Sequence, residues 1–155
     1  MLTNPTVQIE PFTSKDLEWI PHVQPEDWPD ILPSIQYYCT SDFCFPLKAT
    51  LGGKPAGIGC AIIHGRTAWL AHIIVGKGYR NSGIGTTITR SLIDLVNHTP
   101  CQSILLIATN LGEPVYKKVG FETQTEYLFF ENTSLSQEEF AKGIRFEKKF
   151  SPVFS

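Results

Sequence analysis

The chain has 155 residues, of which 42% are hydrophobic, so it suits one domain with one core. Its 13 basic and 15 acidic residues give a formal net charge of −2, which favours neither a nucleic-acid-binding surface nor a polybasic membrane anchor. The sequence has no apolar run near the ~20 residues of a membrane span and no basic-then-apolar signal at its start, so we expect a cytoplasmic protein.

Alternation of apolar and polar residues predicts the strands, and apolar residues at helical spacing predict the helices. In chain order, the predicted elements are a strand over 6–12, a short helix capped by residues 13–16, a helix over 27–38, strands over 43–51, 54–63 and 67–75, a helix over 84–96, a strand over 103–108, a helix over 114–119 and a strand over 121–131. Pro33 either kinks the second helix or delays its start. The run over 103–108 is wholly apolar, which is typical of a strand covered on both faces.

The segment Tyr-Arg-Asn-Ser-Gly-Ile-Gly-Thr, residues 79–86, lies between an apolar strand and an amphipathic helix. A glycine-containing turn that leads into a helix presents free backbone N–H groups at the positive end of the helix dipole, which predicts a site for phosphate or pyrophosphate. A dinucleotide fingerprint needs G-x-G-x-x-G, but Asn81 and Ile88 stand at the third glycine position of the two candidate matches. A Walker A loop needs a lysine where Ile84 stands.

The pattern Arg80-x-x-Gly83-x-Gly85 resembles the R/Q-x-x-G-x-G/A signature of the GNAT family, the acetyl-CoA-dependent N-acetyltransferases. Residues 108–121, A-T-N-L-G-E-P-V-Y-K-K-V-G-F, resemble the A-T-x-x-G-x-P-(L/V)-Y-x-x-(L/V)-G-F segment of part of that superfamily. The clear resemblance covers residues 44–131 of a single domain over 1–155. The tail over 132–155 is unassigned, although Ser136-x-x-Glu139 forms a capping box and residues 145–150 fit an edge strand.

The resemblance implies a mixed α/β fold in which an antiparallel meander is followed by a β-α-β crossover, with helices on both faces of the sheet. It also implies that the pantetheine arm of acetyl-CoA pairs with backbone groups of the third meander strand, at Ile73, Ile74 and Val75. The pyrophosphate would then rest on the loop residues Arg80, Asn81, Ser82, Gly83, Ile84, Gly85 and Thr86. Arg80 adds a charge-assisted contact unless it is a solvated turn residue, and Asn110 either hydrogen-bonds the pantetheine or shapes its own turn.

Tyr116 occupies the tyrosine of the family segment, which implies a general acid that gives a proton to the departing CoA thiolate. The alternative is an amphipathic core aromatic. Glu113 stands one helical turn before Tyr116 and either faces the same site or is a first-turn acid favoured by the helix dipole. A base is also needed, because an alkyl amine with a pKa near ~10.4 is mostly protonated at neutral pH. Many family members carry a glutamate on the strand before the phosphate loop, but residues 67–75 contain no carboxylate. His72 is the candidate base, although a lone histidine in an apolar strand is more often a hydrogen-bonded core residue.

The leading hypothesis is an N-acetyltransferase that transfers acetyl from acetyl-CoA to a primary amine, on a small molecule or a protein, by direct attack in a ternary complex. The alternative is a non-catalytic acyl-CoA-binding sensor or regulatory module, favoured by the missing strand carboxylate and disfavoured by Tyr116. The acceptor pocket is expected from residues 20–45 and from strand-end residues over 126–130, with Asp42, Glu126 or Glu131 as candidates to pair with a cationic amine. The aromatic residues of the first stretch either line that pocket or pack the helices onto the sheet; they are Trp19, Trp28, Tyr37, Tyr38, Phe43 and Phe45. We expect no nucleic-acid, membrane or metal partner, and a homodimer is consistent with the habits of related domains.

Overall fold

A mixed sheet organises the first of two units in the chain, which comprise residues 1–122 and 123–155. The computed structural model describes residues 6–126, and in that part of the chain the sheet has five strands in the order of the sequence. They are β1 (Val7–Pro11), β2 (Cys44–Leu51), β3 (Lys54–His64), β4 (Thr67–Val75) and β5 (Ser103–Leu106). β1 to β4 pair antiparallel and β5 pairs parallel with β4, which confirms the predicted meander and crossover.

Four α-helices accompany these strands in the described residues. They are α1 (Ile20–Val23), α2 (Leu32–Thr40), α3 (Ile84–Asn97) and α4 (Glu113–Lys118), with 3₁₀ turns over Ser14–Trp19 and Lys77–Tyr79. The second predicted helix begins at Leu32, because Pro33 can occupy only a first turn, where its missing N–H costs no hydrogen bond. No helix within residues 6–126 is long and apolar enough to cross a membrane.

The sheet carries an apolar cluster on each face. One cluster joins α1 and α2 to the sheet through Ile20, Ile35 and Tyr38. The other joins α3 to the opposite face through Ile88 and Leu92. Helices therefore cover both faces of the sheet, as predicted.

The cysteines of the chain are free thiols. Cys44 and Cys60 are buried, Cys39 and Cys101 are partly exposed, and burial raises the pKa of Cys60 to about 12.

Two glycines of β3 let α3 approach the sheet closely. A Cβ on Gly59 would lie 2.7 Å from Cγ2 of Ile88 and 3.0 Å from a methyl carbon of Leu92. A Cβ on Gly57 would lie 2.7 Å from the carbonyl oxygen of Ile74 and 2.9 Å from Cδ1 of Ile88. Since real Cβ contacts do not come so close, the separation of α3 from β3 depends on the absence of side chains at these two positions.

A largely buried ion pair fastens the first 3₁₀ turn to β2. Lys48 Nζ lies 2.7 Å from Asp16 Oδ1 and also stands over the ring of Trp19, 4.9 Å from its centroid. Burial by itself would raise the pKa of Asp16, but the hydrogen bonds from Lys48 and Thr13 outweigh it and lower that pKa. Asp16 is thus ionised at neutral pH and caps the turn through the backbone N–H of Thr13, at 2.8 Å.

Two expectations near the end of the described residues are wrong. The apolar run over 103–108 is a strand only over Ser103–Leu106, and it is not covered on both faces, because Leu105 is 41% exposed. Residues 121–126 have no regular secondary structure, unlike the start of the predicted strand over 121–131. Residues 127–131, Glu131 included, and the tail with its capping box and edge strand lie outside the described residues, and the single-domain assignment stays a prediction.

Candidate active site

A notch opens along β4 where β5 ends. The last paired residues of the two strands are Leu70 and Leu106, and β4 continues to Val75. Residues 71–75 therefore run on without a β5 partner, and among residues 6–126 no other strand pairs with them on that side, which leaves backbone groups there for a ligand. Ile73, Ile74 and Val75, which the sequence assigned to cofactor binding, all lie in this free stretch.

A β-bulge lies at the inner end of the notch. Cys60 of β3 pairs with Ala71 and Ile58 pairs with Ile74, so β4 holds one residue more than β3 between these pairs. His72 takes up the extra residue with a positive φ of 48°, an uncommon conformation for a side chain other than glycine. Ala71 and His72 consequently both face the α2 side of the sheet, where Ala71 packs in the core and His72 contacts Tyr38.

His72 is half-buried and hydrogen-bonded. Its Nδ1 lies 3.0 Å from the hydroxyl oxygen of Tyr38, and the two rings meet edge to face with centroids 5.5 Å apart. Burial lowers the pKa of His72, so the ring is neutral at pH 7. The structure thus gives the candidate base the protonation state that a base requires.

The loop between β4 and α3 has the geometry of an anion site. Gly83, at the N-cap of α3, has a φ of 82°, which favours glycine, and Asn81 has a φ of 61°. No side chain in the described residues caps α3, and its first helical hydrogen bond runs from Thr87 N–H to the Gly83 carbonyl. The N–H groups of the first turn, at Ile84, Gly85 and Thr86, are left for an external acceptor.

Arg80 is exposed but does not project freely from this loop. Its Nε donates a hydrogen bond to the carbonyl oxygen of Val75 at 3.2 Å. Ser82, the neighbouring hydroxyl of the loop, donates to the carbonyl oxygen of Tyr79. Arg80 therefore ties the loop to the end of β4, and Ser82 braces the loop internally.

Tyr116 is held on α4, whose first turn is fastened by Thr109. The Thr109 carbonyl accepts hydrogen bonds from Gly112 N–H and Glu113 N–H, each at 2.9 Å. The ring of Tyr116 lies on Gly112, where a Cβ would come within 2.9 Å of it, and meets Phe121 edge to face at 6.2 Å. Burial raises the pKa of Tyr116, so its hydroxyl keeps its proton at neutral pH.

α4 lies beside the start of α3. Val115 of α4 reaches within 3.9 Å of the position of a Cβ on Gly85, and Val75 within 3.5 Å of it. The end of β4, the first turn of α3 and the helix of Tyr116 thus meet around Gly85. These are three of the elements to which the sequence assigned site residues.

Two polar atoms of the candidate site have no partner. Within the described residues, neither Nε2 of His72 nor the hydroxyl of Tyr116 makes a hydrogen bond. Neither atom is sealed in the interior, because that part of the chain contains no buried side-chain nitrogen or oxygen without a partner. Both atoms are therefore open to a ligand.

The remaining residues that the sequence suggested for the site are exposed or form only local contacts. Glu113 forms an ion pair with Lys117 one turn along α4, at 2.7 Å, which suits an acid in a first helical turn. Asn110 is exposed in the turn before α4, and its role stays a prediction. Asp42 and Glu126 are exposed as well. Across residues 6–126 no three His, Cys, Asp or Glu side chains converge as a metal site.

A surface groove of about 670 Å³ lies among the 3₁₀ turn, α1 and α2, in the region where the sequence predicted the acceptor pocket. Its walls include the apolar side chains of Leu17, Ile20 and Leu32 and the carboxylates of Glu18, Glu26 and Asp30. None of its lining residues belongs to β4 or β5, so this groove is distinct from the notch. The aromatic side chains of the same region mostly pack the helices onto the sheet, as Trp19, Trp28 and Phe43 do.

Sequence reasoning placed Tyr38 among the aromatic residues near the acceptor pocket but missed its contact with His72. It stands 34 positions before His72 and in a different kind of element, so no spacing in the sequence joins the two. The contact between the Tyr116 ring and Gly112 could have been predicted from the sequence, because residues four apart meet on one face of a helix.

Comparison with known proteins identifies the family. The model of the acetyltransferase (GNAT) family matches residues 14–121, most of the chain, so the protein belongs to that family. No match was found among curated protein sequences.

Solved structures share the fold at low sequence identity. An aminoglycoside N-acetyltransferase in complex with CoA is 15% identical, with a TM-score of 0.70 over 86% of this chain and 99% of the other. The glucosamine-6-phosphate N-acetyltransferase of Arabidopsis thaliana is 16% identical, with a TM-score of 0.63 over 81% and 98%. The ribosomal-protein-S18-alanine N-acetyltransferase of Escherichia coli is 19% identical, with a TM-score of 0.69 over 77% and 80%. At these identities the likeness establishes the fold.

Proposed function

We propose that this protein is an N-acetyltransferase that transfers the acetyl group of acetyl-CoA to a primary amine by direct attack in a ternary complex. The observation that carries the proposal is the meeting of three features around Gly85: the free stretch of β4, the uncapped N-terminus of α3 and the helix of Tyr116. Family membership and structural neighbours named as N-acetyltransferases, one of them in complex with CoA, support it.

The described residues fit the two parts of the co-substrate. The pantetheine arm carries amide groups, and the backbone of Ile73 to Val75, which has no β5 partner, offers them hydrogen bonds whatever the side chains are. The pyrophosphate carries negative charge, and the N–H groups of Ile84, Gly85 and Thr86 point out of a positive helix end. Arg80 stands beside both and would add a charge-assisted hydrogen bond once it leaves the Val75 carbonyl.

Acetyl-CoA, when bound, supplies a thioester whose carbonyl carbon an unprotonated amine can attack. A C–N bond forms, the C–S bond breaks, and the amine loses one proton while the sulfur gains one. Tyr116 is suited to give a proton to the sulfur, because its hydroxyl is protonated, accessible and without a partner among residues 6–126. His72 is suited to accept the amine proton, because its ring is neutral and its Nε2 is free.

The proposal names the acceptor only by its chemical class, a primary amine on a small molecule or a protein. The names of the solved neighbours cover an aminoglycoside, a sugar phosphate and the alanine of a ribosomal protein, so they support an amine and no particular one. A cytoplasmic location and a homodimer stay expectations of the sequence.

Thermal unfolding with and without acetyl-CoA tests the cofactor and its loop. At ~100 times its dissociation constant, acetyl-CoA should stabilise the wild type by about 2.7 kcal/mol, and Gly83→Trp should abolish that gain by filling the loop. Gly65→Trp is the matched control, because Gly65 also has a positive φ, 59°, and open space around its Cβ, but lies in the β3–β4 turn at the other end of β4. Equal stabilisation of the two variants would reject this loop, and no gain in the wild type would reject the proposal.

A panel of amines with detection of released thiol separates the enzyme from the alternative, a non-catalytic acyl-CoA sensor. The enzyme should release CoA thiol with at least one amine class. A sensor would bind acetyl-CoA in the unfolding assay and release no thiol above background. The sensor is favoured by the lack of an aspartate or glutamate in β4, including its bulge.

A further inference from the structure

The hydroxyl of Tyr38 is the only hydrogen-bond partner of the His72 side chain in the described part of the chain. Tyr38 lies on the buried side of α2, and strict alternation counted from Ala71 would put His72 on the α3 side of the sheet. The bulge therefore turns His72 toward α2, where its ring reaches this hydroxyl.

The contact also divides the two ring nitrogens between two tasks. Nδ1 is occupied by Tyr38, while Nε2 is accessible and has no partner in the part of the chain that the structure describes. A phenol hydroxyl can donate or accept a hydrogen bond, so it can hold Nδ1 whether or not that nitrogen carries a proton. When Nε2 takes up a proton, the Nδ1–H donated to Tyr38 becomes a charge-assisted and stronger hydrogen bond.

We infer that Tyr38 is the positioning residue of His72, and that the pair removes the proton from the attacking amine. The inference rests on the proposed function and names the group that orients its base. The amine proton passes to Nε2 of His72, the amine lone pair forms the new C–N bond, and the imidazolium keeps its Nδ1–H bonded to Tyr38. The second ring proton is lost to solvent after turnover.

The surroundings of the pair favour a base that starts neutral. Burial lowers the pKa of His72, and a neutral phenol leaves the imidazole uncharged where a carboxylate partner would favour its protonated form. Burial, with a smaller effect from Cys60 and Cys44, raises the pKa of Tyr38 to about 12. Burial likewise raises the pKa of both thiols, so Cys44, Cys60 and the Tyr38 hydroxyl are uncharged at pH 7.

The test is Tyr38→Phe, which removes the hydroxyl and keeps the ring. The kcat for the fastest amine of the panel should fall about 10-fold, since a hydrogen bond to a charged group is lost. The acid limb of the kcat/KM profile should move to lower pH, because the imidazolium loses its acceptor and the pKa of His72 falls further. Acetyl-CoA binding should not change.

Tyr37→Phe is the matched control. Tyr37 is the neighbouring residue on α2, is 56% exposed, and its hydroxyl makes no hydrogen bond within the described residues. We expect it to keep the wild-type rate and pH profile. His72→Asn, whose side chain tolerates a positive φ, should lower kcat by about 100-fold or more.

Nitrogen NMR of the His72 ring reads the contact without turnover. The titration should give a pKa below the ordinary value in the wild type, a lower one in Tyr38→Phe, and no change in Tyr37→Phe. Identical titrations and tautomers in the wild type and Tyr38→Phe would overturn the positioning role, whatever the activity. A changed titration in a protein that turns over, with an unchanged rate profile, would overturn the catalytic part. Absence of turnover with every amine would instead reject the proposed function.

Discussion

The ring of Tyr116 lies against Gly112 and edge-on to Phe121, while its hydroxyl has no hydrogen-bond partner within residues 6–126. Packing thus fixes the direction of the side chain and leaves its polar end uncommitted. The free Nε2 of His72 combines with its held Nδ1 in the same way. A polar atom that is oriented but unpaired is suited to a partner that is present only during the reaction.

Tyr116→Phe should lower kcat by about 100-fold, because the CoA thiolate would leave without a proton donor. The thermal midpoint should hardly change, since the hydroxyl makes no hydrogen bond in the described residues, and the stabilisation by acetyl-CoA should persist. Thiol-release kinetics and thermal unfolding measure these quantities. A wild-type kcat in this variant would return Tyr116 to the role of a packing aromatic.

The sequence could identify residues whose chemistry is local. Tyr116 and the loop of Gly83 and Gly85 stand in segments where order and spacing are informative, and the structure places them beside one another. The partner of His72 was beyond reach, because the pairing of Tyr38 with His72 depends on a bulge that no glycine or proline marks in β4. Whether a histidine in an apolar strand is a core residue or a base is decided by the side of the sheet that it faces.

At the scale of elements, apolar periodicity predicted β2, β3, β4 and α3 within a residue or two, since each buries one continuous face. The prediction failed where burial was uneven. β5 ends at Leu106, and Ile107 is 53% exposed although it continues the apolar run. An apolar residue shows that burial would be favourable, but it does not show that a neighbouring element covers it.

The closeness of α3 to β3 yields a prediction at this scale. Gly59→Ala should lower the free energy of unfolding by about 1–3 kcal/mol, because the new Cβ would overlap Ile88 and Leu92 and push α3 away. Gly78→Ala is the control, since its Cβ would meet nothing within 4 Å and its φ is not positive. Chemical denaturation measures both. A Gly59→Ala protein as stable as the control would show that α3 shifts at little cost.

For the molecule as a whole, the sheet is the common wall of two apolar clusters. Neither cluster can lose its packing without exposing the strands that support the other, so we expect residues up to 122 to unfold in one step. The same arrangement accounts for a family fold shared at 15–19% identity, because two apolar faces can be filled by many combinations of side chains.

One-step unfolding can be tested from both faces of the sheet with the variants Ile35→Ala and Ile88→Ala. Each truncates a fully buried side chain and should cost about 2–5 kcal/mol. In both variants tryptophan fluorescence and far-ultraviolet circular dichroism should report the same midpoint, because the two faces unfold together. Two separated transitions in either variant would show that the clusters are independent.

The stretch of β4 beyond β5 also affects how prone the protein is to aggregate in solution. A row of free backbone donors and acceptors accepts any extended chain, including that of another copy, and such edges favour aggregation. The pantetheine arm proposed to lie there would occupy that row as a short strand does. Bound co-substrate would then also protect the protein from aggregation through this edge. The cofactor-free protein, between the release of CoA and the binding of the next acetyl-CoA, would be the form most prone to aggregate.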